Sequence, residues 1–151
     1  MYSPHDVTLI TVTIAPNGVE ERNVTHLHGV FLDSHAGGAI YKNGIQSDDN
    51  ATLFIPEQTV KATDPLTGIE KQYLAPDLFN NCPDKSSAWT IFPGGKQSSQ
   101  DCYFVKGLLD ASERSEYAAL RMRTYEVYRV SNCVYRDFGS PRMHHWQVGG
   151  K

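Results

Sequence analysis

Short β-type segments separated by turn residues are the strongest constraint on how this chain can fold. Residues 6–14, DVTLITVTI, alternate apolar side chains with threonines, and the turn sequence Pro16-Asn17-Gly18 follows them. Further segments of this type are residues 23–33, 52–55, 89–92, 101–106 and 125–136. Proline and glycine between such segments are typical of antiparallel sheets. The pattern therefore predicts a mainly β protein.

The expected architecture is a small antiparallel β-barrel with one short helix. A chain of 151 residues is long enough for one hydrophobic core and short for two domains. Closing the sheet removes most exposed strand edges, which favours a barrel. The helix is expected at residues 111–122, where Ser112 can act as the N-cap.

The strand pattern also predicts the core. The apolar positions of the last strand do not keep one period, so we expect a β-bulge near Ser131-Asn132. The side chains expected to be largely buried are Val7, Leu9, Leu27, Phe31, Phe54, Ile91, Phe104, Val127 and Val134.

The domain organisation follows from the lengths of the connections. Residues 1–136 are expected to form the barrel, with long loops at 34–51 and 57–87. Loops beyond ~12–15 residues are usually functional or mobile. We therefore regard both loops as candidate partner contacts.

The terminal segment, residues 137–151, reads DFGSPRMHHWQVGGK and is expected to be an extended arm. Glycine and proline interrupt any regular element, yet the segment carries several large apolar side chains. Burying an aromatic side chain contributes roughly 1.5–3 kcal/mol, so Trp146 is expected to pack on its own barrel or on a neighbouring chain. Ordering the segment costs about 1–2 kcal/mol per residue, which favours a groove between two subunits. The expected contact residues are Phe138, Met143, His145, Trp146 and Val148.

Composition and charge exclude several classes of protein. The net charge is −3 and no Lys/Arg run occurs, which argues against a nucleic-acid-coating protein. No apolar stretch approaches the ~20 residues of a membrane-spanning helix, and the N-terminus lacks the pattern of a signal peptide. Three widely spaced cysteines without a CxxC motif indicate reduced thiols in a cytosol.

No local cluster predicts catalysis, a cofactor or a metal. His26 and His28 share one face of a predicted strand, but no third ligand is near in sequence. Asp48-Asp49-Asn50 lacks the glycine and glutamate of an EF-hand loop, and Pro93-Gly94-Gly95-Lys96 lacks the spacing of a phosphate-binding loop. We therefore expect a protein that is not an enzyme and acts through its surfaces.

The order of several landmarks resembles a family of small structural proteins from the head-assembly region of tailed bacteriophages. The landmarks are DVTLITV, HGVFLD, a glycine-containing loop, LFIP, YLAPDLF, WTI and the terminal DFGSPRMHHWQVGGK. Proteins of this family resemble head-completion, or stopper, proteins. These are small β-barrels that form a ring between the portal–adaptor assembly and the tail.

The resemblance implies a structural virion protein of the phage neck. It implies a homo-oligomeric ring, expected to be a hexamer, with the portal–adaptor assembly on the head side and a tail-completion or tail protein on the other. Phage DNA would pass through the lumen without sequence recognition. The protein would be found in the host cytoplasm during assembly and in the virion afterwards, and no membrane is involved.

The resemblance also implies that the loop at residues 34–51 faces the DNA channel. Glycines permit large backbone changes there, and acidic side chains would repel phosphates. The candidate channel residues are Gly37, Gly38, Lys42, Gly44, Asp48 and Asp49. The loop at 57–87 is then expected to make outer or inter-subunit contacts.

Two alternatives remain open at this point. One is a different virion protein of similar size, such as a tail-completion or minor capsid protein. The other is a small ligand-binding or hydrolytic β-barrel, which a bound metal or cofactor would reveal.

Overall fold

The computed structural model of the 151-residue chain is mainly β. It describes residues 4–14, 17–34, 38–41, 44–47, 51–82, 84–92, 100–110, 119–120 and 126–150. The strands are β1 His5–Ile14, β2 Glu20–Ser34, β3 Gly38–Tyr41, β4 Gly44–Ser47, β5 Ala51–Pro56, β6 Lys61–Thr63, β7 Gln72–Tyr73, β8 Ala88–Trp89, β9 Gln100–Lys106, β10 Val127–Arg136 and β11 His145–Gly150. Helix α1 spans Pro76–Asn80, and 3₁₀ turns lie at Lys85–Ser87 and Pro141–Met143.

Six antiparallel strands close into a barrel in the order β1-β9-β10-β11-β5-β2, and β2 pairs with β1 to complete it. The small barrel predicted from the strand pattern is thus confirmed. Strands β5 and β6 both pair with β2. Strand β5 pairs with residues 31–34 of β2 and β6 pairs with residues 26–28. A closed sheet leaves few unpaired backbone groups, which explains why a chain of this size can be rich in strands.

Strand β1 is buried on both faces, because the sheet separates two hydrophobic clusters. Its inward side chains, Val7 and Leu9, belong to the barrel interior. The outward side chains Ile10 and Val12 belong to a second cluster that includes Leu109 and Leu120. Leu109 and Leu120 therefore cover the outer face of the barrel at β1, β2, β9 and β10. Residues 119–120, the described part of the expected 111–122 helix, are helical, and the rest of that prediction lies outside the described residues.

Residues 88–92 fill the barrel. All five are buried, and the Thr11 hydroxyl, on the inward face of β1, donates a 3.0 Å hydrogen bond to the carbonyl of Thr90. Only the beginning of this segment is a strand, where β8 pairs in parallel with β7. The interior is therefore a packed core, as expected for a barrel of this strand number.

A bulge at Gly29 changes which residues of β2 face inward. His5 pairs with Val30 while Asp6 pairs with His28, so Gly29 is an extra residue on β2. Its φ of +78° is a conformation that glycine adopts without strain. One extra residue reverses the faces, so Leu27, Val30 and Leu32 are buried.

Two expected core residues, Phe31 on β2 and Phe54 on β5, are only half-buried. They pair across β2 and β5 with ring centroids 5.9 Å apart, on the outer face. His5 and His145 extend this contact on either side. The prediction of full burial was wrong for both residues. For Phe31 it assumed uninterrupted alternation along β2, and on β5 it is the neighbours of Phe54, Leu53 and Ile55, that face inward.

The bulge predicted near Ser131-Asn132 is confirmed. The register of β10 against β11 shifts between Val130 and Asn132. Beyond the shift Val134 points outward and is 41% exposed, so its predicted burial was wrong. The other predicted core residues, Val7, Leu9, Leu27, Ile91, Phe104 and Val127, are all buried.

The end of the chain is a barrel strand rather than an arm. Strand β11 lies between β10 and β5 and hydrogen-bonds to both. Trp146 and Val148 are buried in the interior of their own barrel, with 7% and 0% exposure. Pairing on two edges supplies the backbone partners that an isolated arm would lack. The expectation that these residues lie extended over a partner is corrected accordingly, whereas Phe138 and Met143 stay exposed.

Both long connections contain regular structure. Between β2 and β5, strands β3 and β4 form a separate antiparallel ribbon. The stretch 57–87 contains β6, β7 and α1, and Phe79 of α1 is completely buried. Burial of this aromatic ring fixes the connection 57–87, which the sequence predicts to be a loop, to the core.

Candidate functional site

A groove with a volume of about 350 Å³ opens beside the end of the barrel formed by β5 and β11. Three of its lining residues are aromatic, three are charged, and they come from four separate parts of the chain. The lining residues that define this Trp groove are Glu57, Glu70, Lys71, Tyr73, Trp89 and Trp146. Pockets of ~300–1,000 Å³ are typical of ligand sites, so the Trp groove is at the small end of that range.

The aromatic side chains of the Trp groove form one contiguous cluster. The Tyr73 ring lies 4.6 Å from that of Trp146 and 5.0 Å from that of Trp89, centroid to centroid. The two indoles are 5.4 Å apart in a T-shaped arrangement. Such tilted contacts are the favoured geometry of aromatic pairs. Burial raises the pKa of the Tyr73 phenol above its ordinary value.

Lys71 lines the Trp groove, and its charged end is directed into strand β2. The residue is 4% exposed. Its ammonium donates hydrogen bonds to Asn23 Oδ1 at 3.1 Å, to the Val24 carbonyl at 2.8 Å and to Thr25 Oγ1 at 3.0 Å. An ammonium group has three N–H donors, so these contacts occupy all of them.

A polar cluster at the rim of the Trp groove orients Glu57. The Tyr135 hydroxyl donates a short hydrogen bond to the Glu57 carboxylate and lies 3.4 Å from Nδ1 of His144. The Glu57 backbone amide donates to the His144 carbonyl at 3.0 Å. Hydrogen bonding to Glu57 raises the pKa of Tyr135 to about 12, so the phenol stays protonated at neutral pH. The Tyr135 ring also contacts Trp146 at 5.4 Å.

A second surface, on the connection between β10 and β11, is apolar. Phe138 is 66% exposed and Met143 is 62% exposed. The Arg136 guanidinium lies 5.9 Å from the centre of the Phe138 ring. We call Phe138 and Met143 the apolar hairpin surface. Both are large apolar side chains, and they lie on one short connection.

The two histidines of β2 are positioned by structural contacts. His26 Nε2 lies 2.9 Å from the Leu109 carbonyl and thereby ties β2 to the segment after β9. His28 Nδ1 lies 3.6 Å from Asp6 Oδ1. Burial lowers the pKa of His26 below 6.5, with a further contribution from His28. Among the residues that the structure describes, no group of three or more histidine, cysteine or acidic side chains is arranged to hold a metal ion.

The cysteines differ in their surroundings. Cys102 is buried in β9 and Cys133 is half-buried in β10. Burial raises the pKa of Cys102 to about 12 and that of Cys133 to about 11. Cys82 is also half-buried, and its thiol donates to the Asp84 carbonyl at 3.3 Å.

The residues predicted for the DNA channel are only partly described. Gly38 begins β3 and Gly44 begins β4, so both lie in the ribbon. Gly37, Lys42, Asp48 and Asp49 lie outside the described residues. Of the five predicted contact residues, Phe138 and Met143 are exposed, His145 is half-buried, and Trp146 and Val148 belong to the core.

Sequence reasoning identified only one member of the Trp groove, Trp146. Tyr73 and Trp89 are spread along the chain, and Glu57 and Glu70 belong to a connection interpreted as a loop. A usable signal was the pair of tryptophans, since side chains of this size are rarely left exposed.

No helix in the described part of the chain is both long and apolar enough to cross a membrane.

Comparisons with curated proteins and with solved structures give no match. The profile of one family, described as a family of unknown function (DUF6751), matches residues 2–151. The match extends over all barrel strands, the ribbon and the Trp groove. The chain belongs to this family.

Proposed function

We propose that this protein is a structural virion component of a tailed bacteriophage, a head-completion protein that forms a ring in the neck between head and tail. The ring closes the DNA channel and joins the portal–adaptor assembly to a tail or tail-completion protein. The proposal assigns no catalytic activity and no cofactor to the chain. Its sequence basis is the resemblance in the order of landmarks, from DVTLITV to DFGSPRMHHWQVGGK.

The observation that carries the assembly role is the apolar hairpin surface. The barrel has a packed interior, yet Phe138 and Met143 point away from it with most of their surface exposed. A contact with a neighbouring subunit would cover these side chains. Each Å² of apolar area removed from water in this way contributes roughly 25 cal/mol of favourable free energy. A modest contact of this kind suits a ring whose members are held together by a common platform.

The β3–β4 ribbon suits the channel role. It is inserted between β2 and β5, which are neighbours in the barrel. A two-stranded ribbon extends a barrel without disturbing its core, and it can reach the axis of a ring built around it. In this proposal the lumen lies at the centre of the ring, because the barrel interior itself is filled by residues 88–92.

The test is reconstitution with the portal–adaptor assembly of a tailed phage whose genome encodes this protein. Electron microscopy of the mixture is expected to show an added ring with six copies. The double variant Phe138→Ser, Met143→Ser is expected to remain folded and to lose incorporation. A matched control is Val19→Ser, which alters another exposed apolar residue, 54% exposed in the turn before β2.

Other outcomes decide between the candidate functions. Failure to bind the portal–adaptor assembly, together with binding to tail tubes, would replace the head-completion role by a tail-completion role. A double variant that is incorporated as well as the wild type would remove the apolar hairpin surface from the ring contact.

A further inference from the structure

We propose that the Trp groove binds one basic side chain, preferentially arginine, presented by a partner protein. The occupant is identified by its chemistry: a flat or compact cation on an aliphatic stem. The proposal goes beyond the neck assignment and stands without it, because it rests on the lining of the Trp groove alone.

The aromatic side chains of the Trp groove can attract a cation. The ring centroids of Tyr73 and Trp146 lie 4.6 Å apart, and the Trp89 ring contacts both. A cation held near an aromatic face is attracted by the ring quadrupole, most strongly for tryptophan. Guanidinium stacks on such rings and is less strongly hydrated than ammonium. Arginine is therefore the preferred occupant.

The acidic side chains of the Trp groove can form ion pairs with the same cation. Glu57 and Glu70 both line the Trp groove and are exposed at its surface. The carboxylate of Glu57 is oriented by the hydroxyl of Tyr135. A guanidinium in the Trp groove that reaches either carboxylate would form charge-assisted hydrogen bonds, which are stronger than neutral ones.

The position of Lys71 decides against an anionic occupant. Lys71 carries the positive charge of the lining, and its three donors are directed to Asn23, Val24 and Thr25. An acidic ligand would therefore meet two exposed carboxylates, whereas the Lys71 ammonium is directed into β2. A basic ligand would meet two carboxylates and an aromatic surface.

The volume sets the size of the occupant. A groove of about 350 Å³ is near the lower limit of ligand pockets. It suits a single side chain with its aliphatic stem along Val60 and Ala62, both of which also line the Trp groove. The remainder of the partner would then lie on the surface outside.

The experiment uses the intrinsic fluorescence of the whole protein. The chain contains two tryptophans, and both line the Trp groove, so emission reports on the site directly. N-acetyl-arginine amide is titrated at constant ionic strength, with N-acetyl-citrulline amide as a neutral probe of the same shape and N-acetyl-lysine amide as the second cation. The arginine probe is expected to give a saturable change in the millimolar range, with the lysine probe weaker and the citrulline probe weakest, by about fivefold or more.

The variant Glu70→Gln tests the acidic lining, since Glu70 is exposed and its replacement leaves the fold intact. It is expected to weaken binding of the arginine probe about fivefold. The matched control is Glu21→Gln, which removes the same charge from the exposed end of β2 and is expected to bind like the wild type.

Three results would each overturn the proposal. They are the absence of any saturable response to the arginine probe, equal binding of the arginine and citrulline probes, and unchanged binding by Glu70→Gln. Lysine binding as tightly as arginine would overturn the preference for arginine.

Discussion

At the scale of single residues, Trp146 shows how the fold uses the largest side chains. The residue lies on β11 and contacts Tyr73, Trp89 and Tyr135. It is 7% exposed, so most of its surface contributes to the core of its own chain. Trp146 is buried, as its size predicts, but in its own barrel and not against a neighbouring chain.

The substitution Trp146→Ala is therefore expected to destabilise the isolated protein. Removal of a buried tryptophan leaves a cavity and lowers the free energy of unfolding by about 3–5 kcal/mol. The measurement is urea denaturation followed by far-UV circular dichroism. The control Phe138→Ala alters an exposed aromatic residue and should change the value by no more than about 0.5 kcal/mol. Equal effects of the two substitutions would show that Trp146 is not part of the core.

Cys133 and Cys102 are expected to react more slowly than Cys82, because burial raises the pKa of both thiols. The thiolate is the reactive form of cysteine. Because the pKa is about 11 for Cys133 and about 12 for Cys102, almost none of either thiol is ionised at pH 8. Iodoacetamide at pH 8 should add one group to the folded protein, at Cys82, and three groups in denaturant. Intact-mass analysis and peptide mapping measure this, with Cys82→Ser as the control that gives none. Labelling of Cys102 as fast as Cys82 would contradict the burial.

His26 is expected to make stability depend on pH on the acidic side. Its pKa in the folded state is lowered below 6.5 by burial, so the unfolded chain binds a proton more readily. The contribution of neutral His26 is complete above pH 6.5 and is lost as the pH falls towards the folded-state pKa. Urea denaturation between pH 7.5 and 5 should show wild type losing stability faster than His26→Gln. A steeper loss in the variant would show the opposite sign.

At the scale of elements, glycine explains why the sequence pattern missed strand β11. Strand β11 ends in Gly149 and Gly150, which were interpreted as breaks in regular structure. In the structure their missing side chains make room for neighbours. A Cβ on Gly150 would lie 2.9 Å from Tyr128 Cβ and 3.0 Å from the Phe104 ring. Glycine is compatible with a strand where another chain segment packs this closely.

The substitution Gly150→Ala is expected to lower the free energy of unfolding by about 1–3 kcal/mol, because the added methyl group overpacks the barrel interior. The change in the urea midpoint measures this. Gln147→Ala, at a half-buried position of the same strand, is the matched control and should have a smaller effect. An unchanged midpoint for Gly150→Ala would mean that β11 packs less closely than described.

The bulges show a second limit of pattern reading. Both disturb the period of two, but only the bulge in β10 was visible, because apolar valines mark its irregular spacing. On β2 the polar residues His26 and His28 precede the bulge at Gly29, so the alternation of apolar side chains does not reveal it. The pattern therefore predicts the wrong face for Phe31. The phase of a strand after a bulge is set by its partners, here β1 and β5, and long-range pairing cannot be read from local alternation.

At the scale of the whole molecule, the fold class could be predicted and the Trp groove could not. Alternation and turn residues are local signals, and they were sufficient for a small antiparallel barrel. The Trp groove combines Glu57, a stretch near Tyr73, Trp89 and Trp146, which are brought together only by closure of the barrel. Its chemistry is therefore a property of the topology and not of any motif.

Removal of residues 145–151 is expected to abolish the native state. Without β11, strands β10 and β5 each lose a partner and the barrel opens along one side. The truncated protein should lack near-UV circular dichroism and cooperative urea unfolding. The control is a variant from which residue 151 alone is removed. A cooperatively folded protein without β11 would mean that closure is not required for stability.

The position of β11 in the barrel also has a consequence for synthesis. Strand β5 ends at Pro56, whereas the partner for its second edge begins at His145. At ~5–20 residues per second, translation of the intervening chain takes roughly five to twenty seconds. For that time the nascent chain on the ribosome carries β5 with one edge unpaired, and such an edge is a site of aggregation. Folding to the closed form is thus delayed until residue 150 has emerged from the exit tunnel, and slower translation would lengthen this vulnerable period.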